Sequence, residues 1–261
     1  MDDHFLADDF LEEPWWWHAA PRPAQSSVDN FPDRADVVVV GSGFTGLSAA
    51  LTLARAGRDV VVLESNSPGY GASSRNAGFV GRTLKHSFGA LIQAYGLDYA
   101  MQVYRELDTA FNLVFELVAR ENMHCYLTRC GRFMGALNGA QRMLMSDELE
   151  LRHKHLGHPF QMILESEQSE ELGSSRYVGG ALIPDLGSIH PGLYHLGLLN
   201  TAQSTKAQII GHTLVTAIRP DGTGFQVDTP RGVLTTGDVI VATNGYTLSL
   251  IHISEPTRRT P

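Results

Sequence analysis

Cysteine, long apolar runs and surplus positive charge are all scarce in this sequence, and each shortage excludes something. Cys125 and Cys130 are the only cysteines among 261 residues, too few for the disulfide framework of a small secreted fold. The longest strand-like apolar runs are Val37–Val40 and Val60–Leu63, far short of the ~20 residues that a membrane-spanning helix requires. Lys and Arg number 20 against 28 Asp and Glu, a formal charge of −8, opposite in sign to the footprint of a nucleic-acid binder. The opening Met1-Asp2-Asp3-His4 is acidic where a secretory signal carries positive charge. A soluble, cytoplasmic protein without transmembrane segment or nucleic-acid partner is expected. What is plentiful is core: 43% of residues are hydrophobic and 18% charged, an ordinary globular balance. At roughly 100–200 residues per domain, one large domain or two intertwined ones fit.

Both ends read differently from the middle. Residues 1–34 are rich in Asp, Glu, Pro and Trp and lack a sustained period, as expected of an N-terminal arm. Trp15-Trp16-Trp17 within it reads as a hydrophobic clamp pinning the arm to the domain surface, or as an aromatic wall near a substrate. At the other end, the string from Leu248 to Pro261 looks like a translated transposase-end adapter of the kind used to build sequencing libraries. Residues 248–261 are therefore expected to be a non-native tail, to be set aside from fold reasoning.

Between them, Ala35–Val40 reads as a strand buried on both faces. It enters Gly41-Ser42-Gly43-Phe44-Thr45-Gly46, after which Leu47, Ala50, Leu51 and Ala54 mark one face of a helix that Gly57 closes. Asp59–Leu63 is the next strand, ending at Glu64. A Gly-, Ser- and Asn-dense loop covers Ser65–Gly81, and Leu91–Glu121 reads as a helix. Strand-like pieces follow at Cys125–Leu127 and Arg132–Met134, a helix at Ala140–His155, a strand at Ala181–Pro184 and a helix at Leu193–Thr205. Strands are then expected at Gln208–Ile218, Phe225–Asp228, Val233–Thr235 and Asp238–Thr243, with Asp221-Gly222 as a hairpin turn.

The strand, glycine turn, helix and second strand make one βαβ unit, and the Gly-x-Gly-x-x-Gly motif sits where a dinucleotide fingerprint belongs. Gly41 permits the tight turn, Gly43 lets backbone approach a pyrophosphate, and Gly46 lets helix and strand pack closely. The helix N-terminus offers N–H groups and partial positive charge to phosphates. Glu64, 18 residues past Gly46, can accept the hydroxyls of an adenosine ribose and disfavours a 2′-phosphate. The motif alone leaves NAD and FAD both open.

A second segment, Gly71-Ala72-Ser73-Ser74-Arg75-Asn76-Ala77-Gly78-Phe79, has small residues that let the chain cross a flat ring system, while Ser73, Ser74 and Arg75 can bond phosphate oxygens. A third, Val239-Ile240-Val241-Ala242-Thr243-Asn244-Gly245, is a strand ending in a glycine turn. Together these resemble the D-amino-acid oxidase superfamily of FAD-dependent amine oxidoreductases, in the bacterial branch of γ-glutamylputrescine oxidoreductase, with sarcosine and glycine oxidases as cousins. Ser74 and Ala77 stand where that branch usually has Gly. The resemblance implies a Rossmann-like α/β FAD-binding core of residues 35–82 and 206–247, interleaved with a helical and substrate-domain part, 83–205, and incomplete at its C-terminus. It implies FAD contacts from Gly41, Ser42, Gly43, Thr45, Gly46, Glu64, Ser65, Ser73, Ser74, Arg75, Asn76, Ala77, Gly78, Val215, Thr243, Asn244 and Gly245.

The implied chemistry is oxidation of a small amine or amino acid at its C–N bond, with hydride passing to flavin, hydrolysis of the imine, and reoxidation by dioxygen or another acceptor. A non-catalytic dinucleotide-binding module is the rival from another class. No residue is assigned as catalytic acid or base. His153, His155 and His158 do not share one helix face and read as a solvated helix end, and the two cysteines lack zinc spacing. His190, before Pro191, reads as a turn residue.

Overall fold

Four consecutive valines in one strand, all nearly excluded from solvent, mark the core of a sheet. In the computed structural model, which describes Ala7 and residues 9–21 and 30–246, the expected tail from residue 248 lies outside the described residues. In chain order the elements begin α1 (Trp16–Ala19), β1 (Arg34–Val40), α2 (Phe44–Arg55), β2 (Val60–Leu63), β3 (Phe79–Gly81) and α3 (Phe88–Tyr95). Next come α4 (Leu97–Arg120), β4 (Arg132–Gly135), α5 (Gly139–Leu156), β5 (Gln161–Ile163), α6 (Gln168–Glu171) and β6 (Gly180–Ile183). The last are β7 (Leu186–Ser188), α7 (Pro191–Gln203), β8 (Gln208–Ile210), β9 (Ala217–Asp221), β10 (Gly224–Thr229) and β11 (Gly232–Val241). Contacts divide the chain into two units, one from the described residues of 1–77 and 191–261, the other from 78–190. The helix 191–203, read from sequence as part of the inserted segment, is α7 of the first unit.

The first unit is a six-stranded sheet in the order β8-β2-β1-β11-β10-β9. The first four strands run parallel, and β10 and β9 add an antiparallel hairpin. Val38, Val40, Val61 and Leu63 join Ile210, Val215, Val227 and Leu234 in a buried cluster on one face. Val39 points to the other, where α2 crosses and an added Cβ on Gly46 would lie 3.3 Å from its Cγ1. Burial of each such valine contributes about 1.5–3 kcal/mol. Helix α7 packs on α2, and the short α1 packs on α7.

Two strand expectations change here. The single strand expected over 208–218 is two, β8 and β9. After Gly211, which lies against Asn66 and Pro68, His212 takes φ 51° and the chain leaves the sheet to pass the end of β2. Val215 is thus in an irregular segment, with its side chain in the core. Conversely, the two strands expected at 233–235 and 238–243 are one, β11. Its first half pairs with β10 and its second with β1, so the pairing continues through Gly237-Asp238.

The second unit holds α3 to α6, a three-stranded antiparallel sheet β4-β6-β5, and the β3–β7 pair. Its helical core gathers Phe88, Leu91, Ala100 and Tyr104. The one helix expected over 91–121 is two, because Gly96 adopts φ 87°, a left-handed value that breaks the helix between α3 and α4. Cys125–Leu127 forms no strand: Tyr126 has φ 53°, and only Thr128 bridges, to Ser188.

Candidate cofactor site

The turn after β1 has its shape because backbone leaves no room for a side chain at two positions, and the Ser73 hydroxyl crowds a third. A Cβ on Gly46 would collide with the Gly41 carbonyl oxygen. One on Gly41, at φ 102°, would come 2.7 Å from the carbonyl oxygen of Ala242, and one on Gly43 would come 2.9 Å from Ser73 Oγ. The sequence thus lets α2 start directly over the end of β1, with Gly43 as an N-cap that contributes no side chain of its own. Such a helix start favours an anion. Thr45 lies exposed in its first turn.

Beside this turn, the end of β2 places the Glu64 carboxylate. Its Oε2 accepts from the Ser42 backbone N–H at 3.0 Å and from Ser42 Oγ at 2.7 Å. Its Oε1 accepts from Ser65 Oγ and the Asn66 N–H, both at 3.1 Å. Two of these four donors are hydroxyls, which rotate and can be redirected toward a ligand. The backbone of the 211–215 segment is tied to the same place, since Thr213 N–H donates to the Glu64 carbonyl at 2.8 Å. Val215, two residues on, has its side chain buried in the core of the sheet.

Sequence reasoning did not single out His195, which holds the middle of the turn. It is fully buried, and its Nε2 lies 2.7 Å from the Ser42 carbonyl oxygen. A carbonyl only accepts, so Nε2 carries the proton. In a trans peptide, C=O and N–H point opposite ways. Drawing the Ser42 carbonyl toward α7 therefore turns the Gly43 N–H to the other side. A signal was available: the buried positions of α7 are 191, 192, 194, 195, 198, 199 and 202, an apolar helical stripe with His195 in it.

The second motif forms a loop with a short 3-10 turn at Ala72–Ser74. Ser73 is at the start of α2, where its Oγ accepts from the Phe44 N–H at 2.9 Å. Ser74 and Arg75 have partners within the loop instead. Ser74 Oγ donates to the Gly69 carbonyl at 2.6 Å, and Arg75 Nε donates to the Tyr70 carbonyl at 2.6 Å. The Asn76 side chain bonds the carbonyls of Ala72 and Ser73, at 3.2 Å each. Ala77 ends the first unit, and Gly78, at φ 75°, opens the second. The third motif meets the first: Ala242 N–H donates to the Val40 carbonyl at 2.8 Å and Thr243 begins beside Gly41, with Asn244 and Gly245 next in the chain. Asn244 takes φ 54°.

Titratable groups of the second unit are grouped elsewhere. Arg82 Nη1 pairs with Asp108 Oδ1 at 2.6 Å, and His158 Nε2 lies 2.9 Å from Asp108 Oδ2. Arg152 bonds both His158 Nδ1 and Asp185, which also pairs with Arg132. Burial holds the His158 pKa below its ordinary value, against the opposing hydrogen bond to Asp108. Burial alone would raise Asp108, but the hydrogen bonds from His158 and Arg82 outweigh it and lower the carboxyl. His158 is thus a buried network member, not part of a solvated helix end. The three histidines diverge: His153 Nδ1 is 3.1 Å from the His158 carbonyl, and the His155 ring faces Phe88. The His190 N–H donates to the Cys125 carbonyl, and burial lowers its ring pKa.

Strand, glycine turn, helix and strand-end carboxylate define a dinucleotide-binding α/β protein. More particularly, the chain belongs to the FAD dependent oxidoreductase family, whose model matches residues 36–260. It is 32% identical over 218 residues to the "Probable oxidoreductase OrdL" of Haemophilus influenzae, covering 82% of this chain and 50% of that one. It is also 32% identical over 211 residues to the γ-glutamylputrescine oxidoreductase of Escherichia coli, covering 81% and 49%. The crystal structure of glycine oxidase from Geobacillus kaustophilus superposes with a TM-score of 0.65 at 27% identity, over 80% of this chain and 55% of that one. The chain spans about half the length of these relatives. Among the described residues no helix is long and apolar enough to cross a membrane.

Proposed function

We propose that the protein oxidises the C–N bond of a small amine or amino acid, with a γ-glutamylputrescine-like amine favoured, and that this chain holds its FAD. The observation that carries the reading is the turn of Gly41, Gly43 and Gly46, closed by backbone to a Cβ at Gly41 and Gly46, beside the Glu64 carboxylate, in a chain of an FAD-dependent family. Residues present fit the cofactor. The α2 start, with Thr45 and Ser73, would take the diphosphate, and Glu64 with Ser42 and Ser65 would take the adenosine ribose. The backbone at Val215 would border the adenine. Thr243, Asn244 and Gly245 would border the diphosphate, and the loop through Ser74, Arg75, Asn76, Ala77 and Gly78 would lie along the flavin side. FAD, when bound, supplies the hydride acceptor for the C–N bond, leaving an imine for water to hydrolyse and electrons for dioxygen or another acceptor. The chain's own part is to bind and orient; no acid or base is assigned to it. A cytoplasmic setting suits two free cysteines, one of them exposed.

A glycine, sarcosine or D-amino-acid oxidase of the same fold is the second reading, favoured by the 27% identical glycine oxidase. The test is turnover of the purified flavoprotein with γ-glutamylputrescine, sarcosine, glycine and D-alanine, read as peroxide in air and as reduction of an artificial dye without it. Fastest turnover of γ-glutamylputrescine is expected. Preference for glycine, sarcosine or D-alanine selects the second reading, and no turnover of any amine overturns both.

A further inference from the structure

The tryptophans of the N-terminal arm reach the loop that follows Glu64 with their polar edges. Trp16 Nε1 donates to the Asn76 carbonyl at 2.9 Å, and Trp17 Nε1 donates to Ser74 Oγ at 2.9 Å. Between these contacts, the Arg75 guanidinium lies over the Trp17 ring at 4.7 Å and the Tyr70 ring at 4.2 Å. Three successive loop residues, Ser74, Arg75 and Asn76, are therefore each held by the arm.

The contacts continue inward with a fixed direction. An indole N–H can only donate, so the buried Ser74 hydroxyl must accept from Trp17 and direct its own proton to the Gly69 carbonyl, 2.6 Å away. The Gly69 N–H donates to Ser42 Oγ at 3.2 Å, and Ser42 Oγ donates to Glu64 Oε2 at 2.7 Å. Two hydrogen-bonded pairs, Trp17 with Ser74 and Ser42 with Glu64, are thus joined through the Gly69 backbone, whose carbonyl and N–H belong to successive peptide units, so the link between them is positional. It leads from the arm to the carboxylate at the end of β2. Packing alone would bury the rings without matching both indole N–H groups to acceptors. Trp15, which makes no such match, is 78% exposed.

We infer that Trp16 and Trp17 are positioning residues of the cofactor site: the arm fixes the 69–76 loop and, through Ser42, the Glu64 carboxylate in the geometry that receives FAD. This rests on the FAD reading above. It makes cofactor affinity depend on an arm that precedes the binding fold in sequence.

The test is FAD titration of the apoprotein, followed by quenching of flavin fluorescence, for wild type, Trp17→Phe, Ser74→Ala and the double variant. Trp17→Phe keeps an aromatic ring for Arg75 and Tyr70 and removes the donor along with the five-membered ring that carries it. Its Kd for FAD is expected to rise about 3- to 10-fold, the consequence of one hydrogen bond. The double variant is expected to bind no more weakly than Ser74→Ala alone, since the shared bond is already gone. Amide exchange across 69–76 separates positioning from general stability. It should be faster in apo Trp17→Phe while exchange in β1 and β2 is unchanged, and saturating FAD should restore the wild-type rate. Wild-type affinity and unchanged exchange in Trp17→Phe would overturn the inference and leave the FAD reading standing. Failure of the wild type to take up FAD overturns both. If Trp17→Phe does not fold, Trp16→Phe, which removes the Asn76 contact, is read by the same two outcomes.

Discussion

Replacing His195 by leucine removes the donor from the underside of the glycine turn, together with the ring that faces Phe44. Both His195 and Ser42 are fully buried, and the Nε2–carbonyl distance is 2.7 Å. Water cannot substitute without opening the packing of α7 on α2. Leucine fills a similar volume, so the cost is dominated by a buried carbonyl left without a partner, about 1–3 kcal/mol. For a chain of this size that lowers the unfolding midpoint by about 2–12 °C. A second effect follows from the peptide plane. With the Ser42 carbonyl released, the Gly43 N–H is no longer aimed, and FAD should bind about 10-fold more weakly. Calorimetry and FAD titration of His195→Leu and His195→Gln check this together. Glutamine retains an N–H donor and should recover part of both losses. A leucine variant with wild-type midpoint and affinity would refute the anchoring role. A glutamine variant no better than leucine would assign the effect to ring shape rather than to the hydrogen bond.

Gly46→Ala forces a methyl into the Gly41 carbonyl; neither backbone can yield cheaply, so a loss of at least about 3 kcal/mol and of FAD retention is expected by denaturant titration. Gly96→Ala is the contrast, with open space around it but φ 87° and ψ 163°, a region essentially reserved for glycine; only backbone strain of about 1–3 kcal/mol should appear, with FAD affinity unchanged. Glu64→Gln removes the charge and places an amide N–H against the Ser42 donors; FAD affinity should fall about 10- to 100-fold by fluorescence titration. For pH, the His158 pKa is lowered in the fold, so the unfolded chain takes up the proton first and folding is favoured fully above the ordinary value of 6.5. Stability should decline as pH falls below 6.5, and further as Asp108, held below its ordinary 3.8, protonates. His158→Gln should flatten the upper part of that profile in pH-dependent thermal melts; an equally steep profile would remove His158 as its cause.

The βαβ start was legible because three independent constraints coincide within about thirty residues: a doubly buried strand, glycines where a Cβ cannot fit, and an acid at the next strand end. The left-handed break at Gly96 was missed because the apolar period of α4 continues across the boundary, and one glycine inside such a pattern is no certain stop. The partners of Ser74 and Arg75 were not readable, since residues of either kind can face a phosphate or bond their own loop. The approach of Trp17, a tertiary contact from 57 residues away, joins the bonds within the loop in deciding between these. The Arg82–Asp108–His158–Arg152–Asp185–Arg132 network was invisible for the same reason. Its members come from six places in the second unit, and none shares a local spacing that marks it. β11 was divided in two because Gly237-Asp238 carries a turn signal, which pairing with β1 overrides.

The central claim is that this turn and this carboxylate hold FAD. Its most direct test is the identity of the cofactor released by heat from the purified protein, set by mass and fluorescence, beside the same preparation of Gly46→Ala. FAD near one equivalent from the wild type, and little from the variant, is the predicted result. A nicotinamide dinucleotide, or no nucleotide from a folded wild type even after incubation with FAD, would contradict it.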